Sequence, residues 1–330
     1  MTGREDNEDR FEADLAGLLQ EAGRRDAPPE SVGREIRAAV HAEWQGIVRA
    51  RRQRRVWLGA AAAAVVAACA LWLALPLREQ TAAVVATLER MTGPTMHSSG
   101  SQWRPTVQGE PIRVGDRLRT DGAGRLALRI DTQTTVRLDE NTLAVVTDAD
   151  TLTLERGAAY IDAAPNTQTT PSLRIDTALG MVRHIGTQYE VRVAGNALRV
   201  SVREGKVELQ DGAGLTLATA GERLTLDAPG RVQRSAVAPD AASWNWISTV
   251  TPSFAIEGRP LIEFLTWAGR ELGQEVVFAD ARTESEVRDV TLRGSIDGLA
   301  PETALRAVLS TTRLRHAQRD GRLLIELPQD

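Results

Sequence analysis

The chain of 330 residues has one cysteine and one lysine. The single cysteine, Cys69, excludes an internal disulfide, and its place in an apolar stretch reads as a small hydrophobe. With Lys206 the sole lysine, almost all positive charge is arginine. Charge imbalance is small as well. The formal net charge of −4 makes no whole-chain case for a nucleic-acid partner. Histidine is sparse, and His41, His97, His184 and His316 fall in different expected units, so they form no metal-ligand cluster. No phosphate-cradling glycine loop or nucleophile elbow occurs, and paired acids such as Asp139 and Glu140 fall at turns. These absences disfavour an enzyme acting on an external substrate. No cofactor or metal is expected.

What the sequence does have is one long apolar run, Val56 to Leu77, without a charge. At ~1.5 Å rise per residue, a helix of this length covers ~30 Å of hydrocarbon. Trp57 and Trp72 stand near its ends, where indole rings favour the interface. Arg51, Arg52, Arg54 and Arg55 precede it, and only Arg78 with Glu79 follows. The positive-inside rule therefore predicts a single-pass inner-membrane protein, with the N-terminus cytosolic and the long C-terminal part outside the cytosol. More than fifty residues come before the run, too many for a secretory n-region.

On the cytosolic side, Phe11, Leu15, Leu18 and Leu19 recur at helical spacing, as do Val32, Ile36, Val40 and Trp44. Pro28 and Pro29 separate the two stripes. Two short amphipathic helices bury little surface, which points to a partner-binding face. His41 without a cytosolic cysteine argues against a zinc site there.

Beyond the run the apolar period changes to two. Leu126, Leu128 and Ile130, then Val136 and Leu138, Leu143 and Val145, Leu152 and Leu154, Val191 and Val193, Leu198, Val200 and Val202, Leu215 and Leu217, and Leu224 and Leu226 alternate with polar residues. Turn signals occur at Asp121-Gly122, Arg156-Gly157, Gly195-Asn196, Glu204-Gly205 and Asp211-Gly212. An all-β unit, solenoid- or sandwich-like, is predicted. A faint internal repeat runs through it: LERGAAYI at Leu154 to Ile161 parallels VREGKVEL at Val202 to Leu209, with glycine in the same place.

GDRLRTDGAGRLALRIDTQTTVRLDENTLAVV at Gly115 to Val146 resembles the core of the FecR family. So do LERGAAYID, IDTALGMVRHIGTQYEVRV at Ile175 to Val193, VREGKVEL and AGERLTL, in the family's order. The resemblance implies a single-pass regulator, an anti-sigma factor, of an extracytoplasmic-function sigma factor, in a bacterial inner membrane and with the long C-terminal part periplasmic. Its periplasmic part would receive the signal of a TonB-dependent receptor's signalling domain, and envelope proteases would act on the chain. It further implies that Gly186-Thr187 in HIGTQYEV matches an element where some relatives cut themselves, with Tyr189 in place of the usual phenylalanine.

Residues 254–327 predict a strand at Phe254 to Ile256 and a helix with Leu261, Phe264, Leu265, Ala268 and Leu272, ended by Gly273. Strands at Val276 to Phe278 and around Val290, Leu292 and Ile296 follow, then a helix opened by Pro301 and a closing hairpin. GRPLIEFLTWAGRELGQEVVFA and GLAPETALRAVLSTT resemble the short N-terminal domain of secretins and TonB-dependent receptors. A chain this long exceeds one ordinary domain of roughly 100–150 residues. The expected layout is a helical cytosolic segment over 1–55, a transmembrane helix over 56–77, and an all-β FecR-like domain over 78–234. A linker over 235–252 and a small α+β domain over 253–330 complete it. The alternative reading is a periplasmic scaffold or envelope-assembly protein that carries no signal.

Overall fold

Alternating apolar residues become strands from Val84 onward. The computed structural model describes residue 17 and residues 83–163, 173–227, 230–319 and 321–328. By its contacts the chain divides into residues 1–79 and 80–330, and every described residue except residue 17 lies in the second unit. The expected membrane span and both cytosolic stripes lie outside the described residues. Among the described residues no helix is long and apolar enough to cross a membrane.

Eight short strands come first: β1 (Val84–Thr92), β2 (Thr95–Ser98), β3 (Arg104–Pro105), β4 (Pro111–Arg113), β5 (Arg117–Thr120), β6 (Arg125–Arg129), β7 (Thr134–Leu138) and β8 (Leu143–Asp148). Then come the long β9 (Thr151–Ala163), the short β10 (Arg174–Thr177), and the long β11 (Gly180–Ala194) and β12 (Ala197–Gln210). β13 (Leu215–Thr219), β14 (Glu222–Asp227) and β15 (Arg231–Ala236) close the series. All belong to one hydrogen-bonded sheet in which the long strands change partners midway. The first half of β9 pairs with β8 and the second half with β7 and β11. β12 pairs along β11, and its two halves take β14 and β13. Strands that switch partner at a bulge are how two β layers share a corner.

One core fills this β-rich unit. Leu88, Leu118, Leu126, Leu138, Leu154, Ile161, Tyr189, Val200, Val207 and Leu224 are buried in it. Each such side chain contributes roughly 1.5–3 kcal/mol of burial, which the period-two pattern secures by keeping one face apolar. β13 departs from expectation. Leu215 and Leu217 face solvent and Ala218 is its buried residue, because β13 lies off the main path and pairs only with β12.

Two of the five turn signals are also corrected. Gly157 and Gly205 lie inside β9 and β12, with φ of 88° and 78°. They are mid-strand bulges, where a residue without Cβ adopts the left-handed region freely.

The stretch expected as a linker is packed. Residues 242–250 form a 3-10 segment, and Trp244, Trp246 and Ile247 are buried with Val237 against Tyr160 of β9. The two indoles meet the Tyr160 ring edge-on, at 6.1 and 6.5 Å between centroids.

The C-terminal part has helices α1 (Leu261–Leu272), α2 (Ala281–Asp289) and α3 (Pro301–Ser310), and a sheet of β16 (Glu275–Phe278), β17 (Arg315–Arg319) and β18 (Arg322–Glu326) in the order β16-β18-β17. Its own core joins Phe264, Leu265, Leu305, Leu323 and Ile325. Gly273 ends α1 with φ 69°, and Pro301 opens α3, as their positions predict. Phe254 to Ile256 makes no strand, and the strand expected around Val290 reduces to one bridge between Thr291 and Pro260. Helix α2 is an addition. Its stripe is only Thr283 and Val287, too thin for apolar periodicity to register, and the Asp280 side chain caps it by accepting from the Thr283 N–H at 2.7 Å.

Candidate functional site

The faint repeat in the sequence is a duplicated structure. In the first copy Leu143 pairs with Arg156 and Ala144 with Leu154, with a register shift between them. In the second, Gln188 pairs with Glu204 and Tyr189 with Val202, again across a shift. Each bulge sets a threonine, next to a left-handed residue, against a glycine. Thr142, next to Asn141 (φ 56°), faces Gly157, and Gly186 (φ 60°) and Thr187 face Gly205. The candidate scission pair therefore sits at one of two equivalent places in the fold.

The two threonines differ in what their hydroxyls do. Thr142 Oγ1 accepts from the Ala158 N–H at 3.0 Å and donates to a backbone carbonyl, that of Ala158 lying at 3.3 Å. The Thr142 N–H also donates to the Thr120 hydroxyl at 2.9 Å. Thr187 is fully buried, and its hydroxyl has no hydrogen-bond partner among the described residues. An unpaired buried hydroxyl costs roughly 1–3 kcal/mol, and rotation to the arrangement of Thr142 would remove that cost. A group held unsatisfied beside a left-handed glycine is an observation that points to chemistry.

Its neighbours on the core face are similarly unpaired. His184 and Tyr189 are buried with rings 5.7 Å apart, and neither imidazole nitrogen nor the phenol oxygen has a partner among the described residues. Burial pushes the His184 pKa below its ordinary value and the Tyr189 phenol above its own. Both rings are thus held neutral at neutral pH.

The opposite side of the same strand pair is polar and covered by helix α1. Gln188 Nε2 donates to the Arg270 carbonyl at 3.4 Å. Arg270 in turn donates to Glu204 Oε2 at 2.5 Å and to Asp162 Oδ1 at 2.6 and 3.0 Å. Arg203 reaches the Glu271 and Pro239 carbonyls at 3.0 and 2.7 Å. The pair that brackets the bulge is therefore gripped by the C-terminal helix. Burial alone would lower the Arg270 pKa, but Asp162 and Glu204 outweigh it and raise it.

Of the residues singled out in the sequence, Gly186 and Thr187 are brought to this bulge. Arg51, Arg52, Arg54, Arg55, Trp57, Trp72 and the stripes from Phe11 to Leu19 and Val32 to Trp44 lie outside the described residues. Sequence reasoning missed Gly205, Gln188, Glu204 and Arg270. Aligning LERG with VREG marked Gly205 but left its role as a turn. Nothing local to Arg270 signals a partner 108 residues away. Among the described residues no group of three or more histidine, cysteine or acidic side chains is placed to hold a metal ion.

No curated protein matches the chain. Two crystal structures of a candidate anti-sigma factor from Parabacteroides distasonis are similar to it at 18% and 17% identity. Each likeness covers 64% of this chain and 99% of the other, with TM-scores of 0.34 and 0.35, values that leave the architecture to be argued from this chain alone. Residues 116–208 match the model of the FecR protein family. That stretch holds both bulges, and it is a FecR domain.

Proposed function

We propose that the chain is a transmembrane anti-sigma regulator whose FecR domain cuts itself between Gly186 and Thr187. The observation that carries the scission reading is the fully buried Thr187 hydroxyl, without a partner among the described residues, beside a left-handed glycine. In the reaction Thr187 Oγ1 attacks the Gly186 carbonyl carbon, and the C–N bond breaks as the hydroxyl proton passes to the departing amine. The product is an ester through Oγ1. Water then hydrolyses it to a Gly186 carboxylate, with the Thr187 hydroxyl restored and its amine free. Glycine at the acyl side leaves the approach open.

The regulatory reading is supported by the FecR domain over 116–208 and by the charge asymmetry around Val56 to Leu77. A TonB-dependent receptor's signalling domain engages the C-terminal α+β part, which resembles the short N-terminal domain of such receptors. The signal passes through the β unit to the membrane span, where envelope proteases release the cytosolic segment with its sigma factor.

Two experiments test this. In an immunoblot of the full chain tagged at both ends, the wild type yields two fragments and Thr187→Ala yields none. Fragments from Thr187→Ala would exclude the hydroxyl as nucleophile. Affinity capture through residues 1–55 recovers an extracytoplasmic-function sigma factor, and recovery of none would count against the anti-sigma role.

A further inference from the structure

Gly205 is the residue that both halves of the scissile unit touch. A Cβ built there would overlap the Gly186 carbonyl oxygen and stand 2.5 Å from Thr187 Cγ2. Its φ of 78° independently excludes most side chains. At the duplicate bulge the corresponding contact is different in kind. There a Cβ on Gly157 would overlap Thr142 Oγ1 and Cα and stand 2.7 Å from Thr142 Cβ. The glycine is thus met by the methyl of Thr187 in one copy and by the hydroxyl of Thr142 in the other. With the methyl against Gly205, the Thr187 hydroxyl turns away from the backbone bond that satisfies Thr142.

We propose that Gly205 is a positioning residue for scission of the Gly186–Thr187 bond. It accepts the Thr187 methyl and the Gly186 carbonyl against its bare Cα, which holds the hydroxyl unbonded and the carbonyl fixed. The proposal rests on the scission reading above. A side chain at 205 displaces both groups at once, and a displacement of about 1 Å in an intramolecular attack costs on the order of a hundredfold in rate.

The duplicate bulge supplies the control. Gly157→Ala would crowd Thr142 as closely, without touching the scissile pair. The experiment is a time course of fragment appearance for the full chain, comparing wild type, Gly205→Ala, Gly157→Ala, Thr187→Ser, Thr187→Ala and the double variant Gly205→Ala/Thr187→Ser. Gly205→Ala is expected to slow scission by at least about tenfold, and Gly157→Ala to stay within about twofold of wild type. Serine keeps the hydroxyl and lacks the methyl, so the double variant is expected to cut faster than Gly205→Ala alone. Denaturant unfolding of Gly205→Ala separates positioning from misfolding: a fully folded variant that cuts slowly is expected, and slow cutting confined to unfolded protein overturns the proposal. Gly205→Ala cutting at the wild-type rate, or Gly157→Ala slowing scission equally, overturns the proposal while Thr187→Ala still blocks cutting. An uncut wild type defeats the scission reading itself and this proposal with it.

Discussion

Arg137 and Glu271 form a two-pronged ion pair, with Nη1 to Oε2 at 2.8 Å and Nη2 to Oε1 at 2.7 Å, joining β7 to the end of α1. Their side chains are 1% and 6% exposed, so this contact between the β unit and the C-terminal part is sealed from water. The Tyr160 ring lies 5.5 Å from the Arg137 guanidinium. Burial alone would lower the Arg137 pKa, but Glu271 outweighs it and raises it. Breaking a buried pair from one side leaves an uncompensated charge. Glu271→Leu or Arg137→Met is therefore expected to destabilise the fold by about 3–5 kcal/mol. Arg137→Met combined with Glu271→Leu should recover most of that loss. Denaturant unfolding followed by tryptophan fluorescence reads the effect, and additive single-variant losses in the double variant would argue against the pair.

The Trp246 indole N–H donates to Glu190 Oε2 at 3.0 Å, and its ring packs on Tyr160. Trp246→Ala is expected to cost about 3 kcal/mol through lost packing, and to expose residues 242–250 to protease. Trp246→Phe keeps most of the ring and forfeits the hydrogen bond, for about 1 kcal/mol. Cleavage within 242–250 at equal rates in wild type and Trp246→Ala would show that the indole does not hold the segment down.

Alternation made most strands of the FecR domain legible, because each presents one face to a single core and a period of two follows. It could not separate a turn from a bulge. Arg156-Gly157 and Glu204-Gly205 carry the same glycine signal as Gly195-Asn196, yet only the last reverses the chain. What distinguishes the first two is that β9 and β12 continue beyond them with new partners, which is a property of the assembled sheet. The 3-10 segment was hidden for a different reason. Its surroundings are rich in Ala, Pro and Ser, and its burial depends on Tyr160, more than eighty residues earlier. At the candidate site, Gly186-Thr187 was legible as a motif. Its grip by Arg270, and the unequal hydroxyls of Thr142 and Thr187, needed the fold.

His184 gives the β unit an acid sensitivity of defined sign. Burial lowers its folded-state pKa below the ordinary value of 6.5. The neutral ring's contribution to stability is then present above 6.5 and is lost as pH falls toward the lower, folded-state value. His184→Leu removes this component. The denaturant midpoint of wild type is expected to fall between about pH 6.5 and pH 5 more steeply than that of His184→Leu. Parallel slopes for the two proteins over that window would assign the acid sensitivity to other groups.

The duplicated bulge allows the Thr187 hydroxyl to be judged against Thr142. Valine replaces a threonine hydroxyl by a methyl at nearly the same shape. At position 142 this strands the Ala158 N–H, which donates to Oγ1 at 3.0 Å, so Thr142→Val is expected to lose about 1–3 kcal/mol. At position 187 it removes a buried hydroxyl that bonds to nothing among the described residues, so Thr187→Val should leave stability unchanged or raise it by about 1 kcal/mol. Under the proposed scission, Thr187→Val is also expected to keep the chain whole. If Thr187 were merely the second copy of a structural threonine, the two valine variants would lose stability alike. A selective cost at 142 instead means that position 187 retains its hydroxyl against the interest of folding, as a nucleophile would.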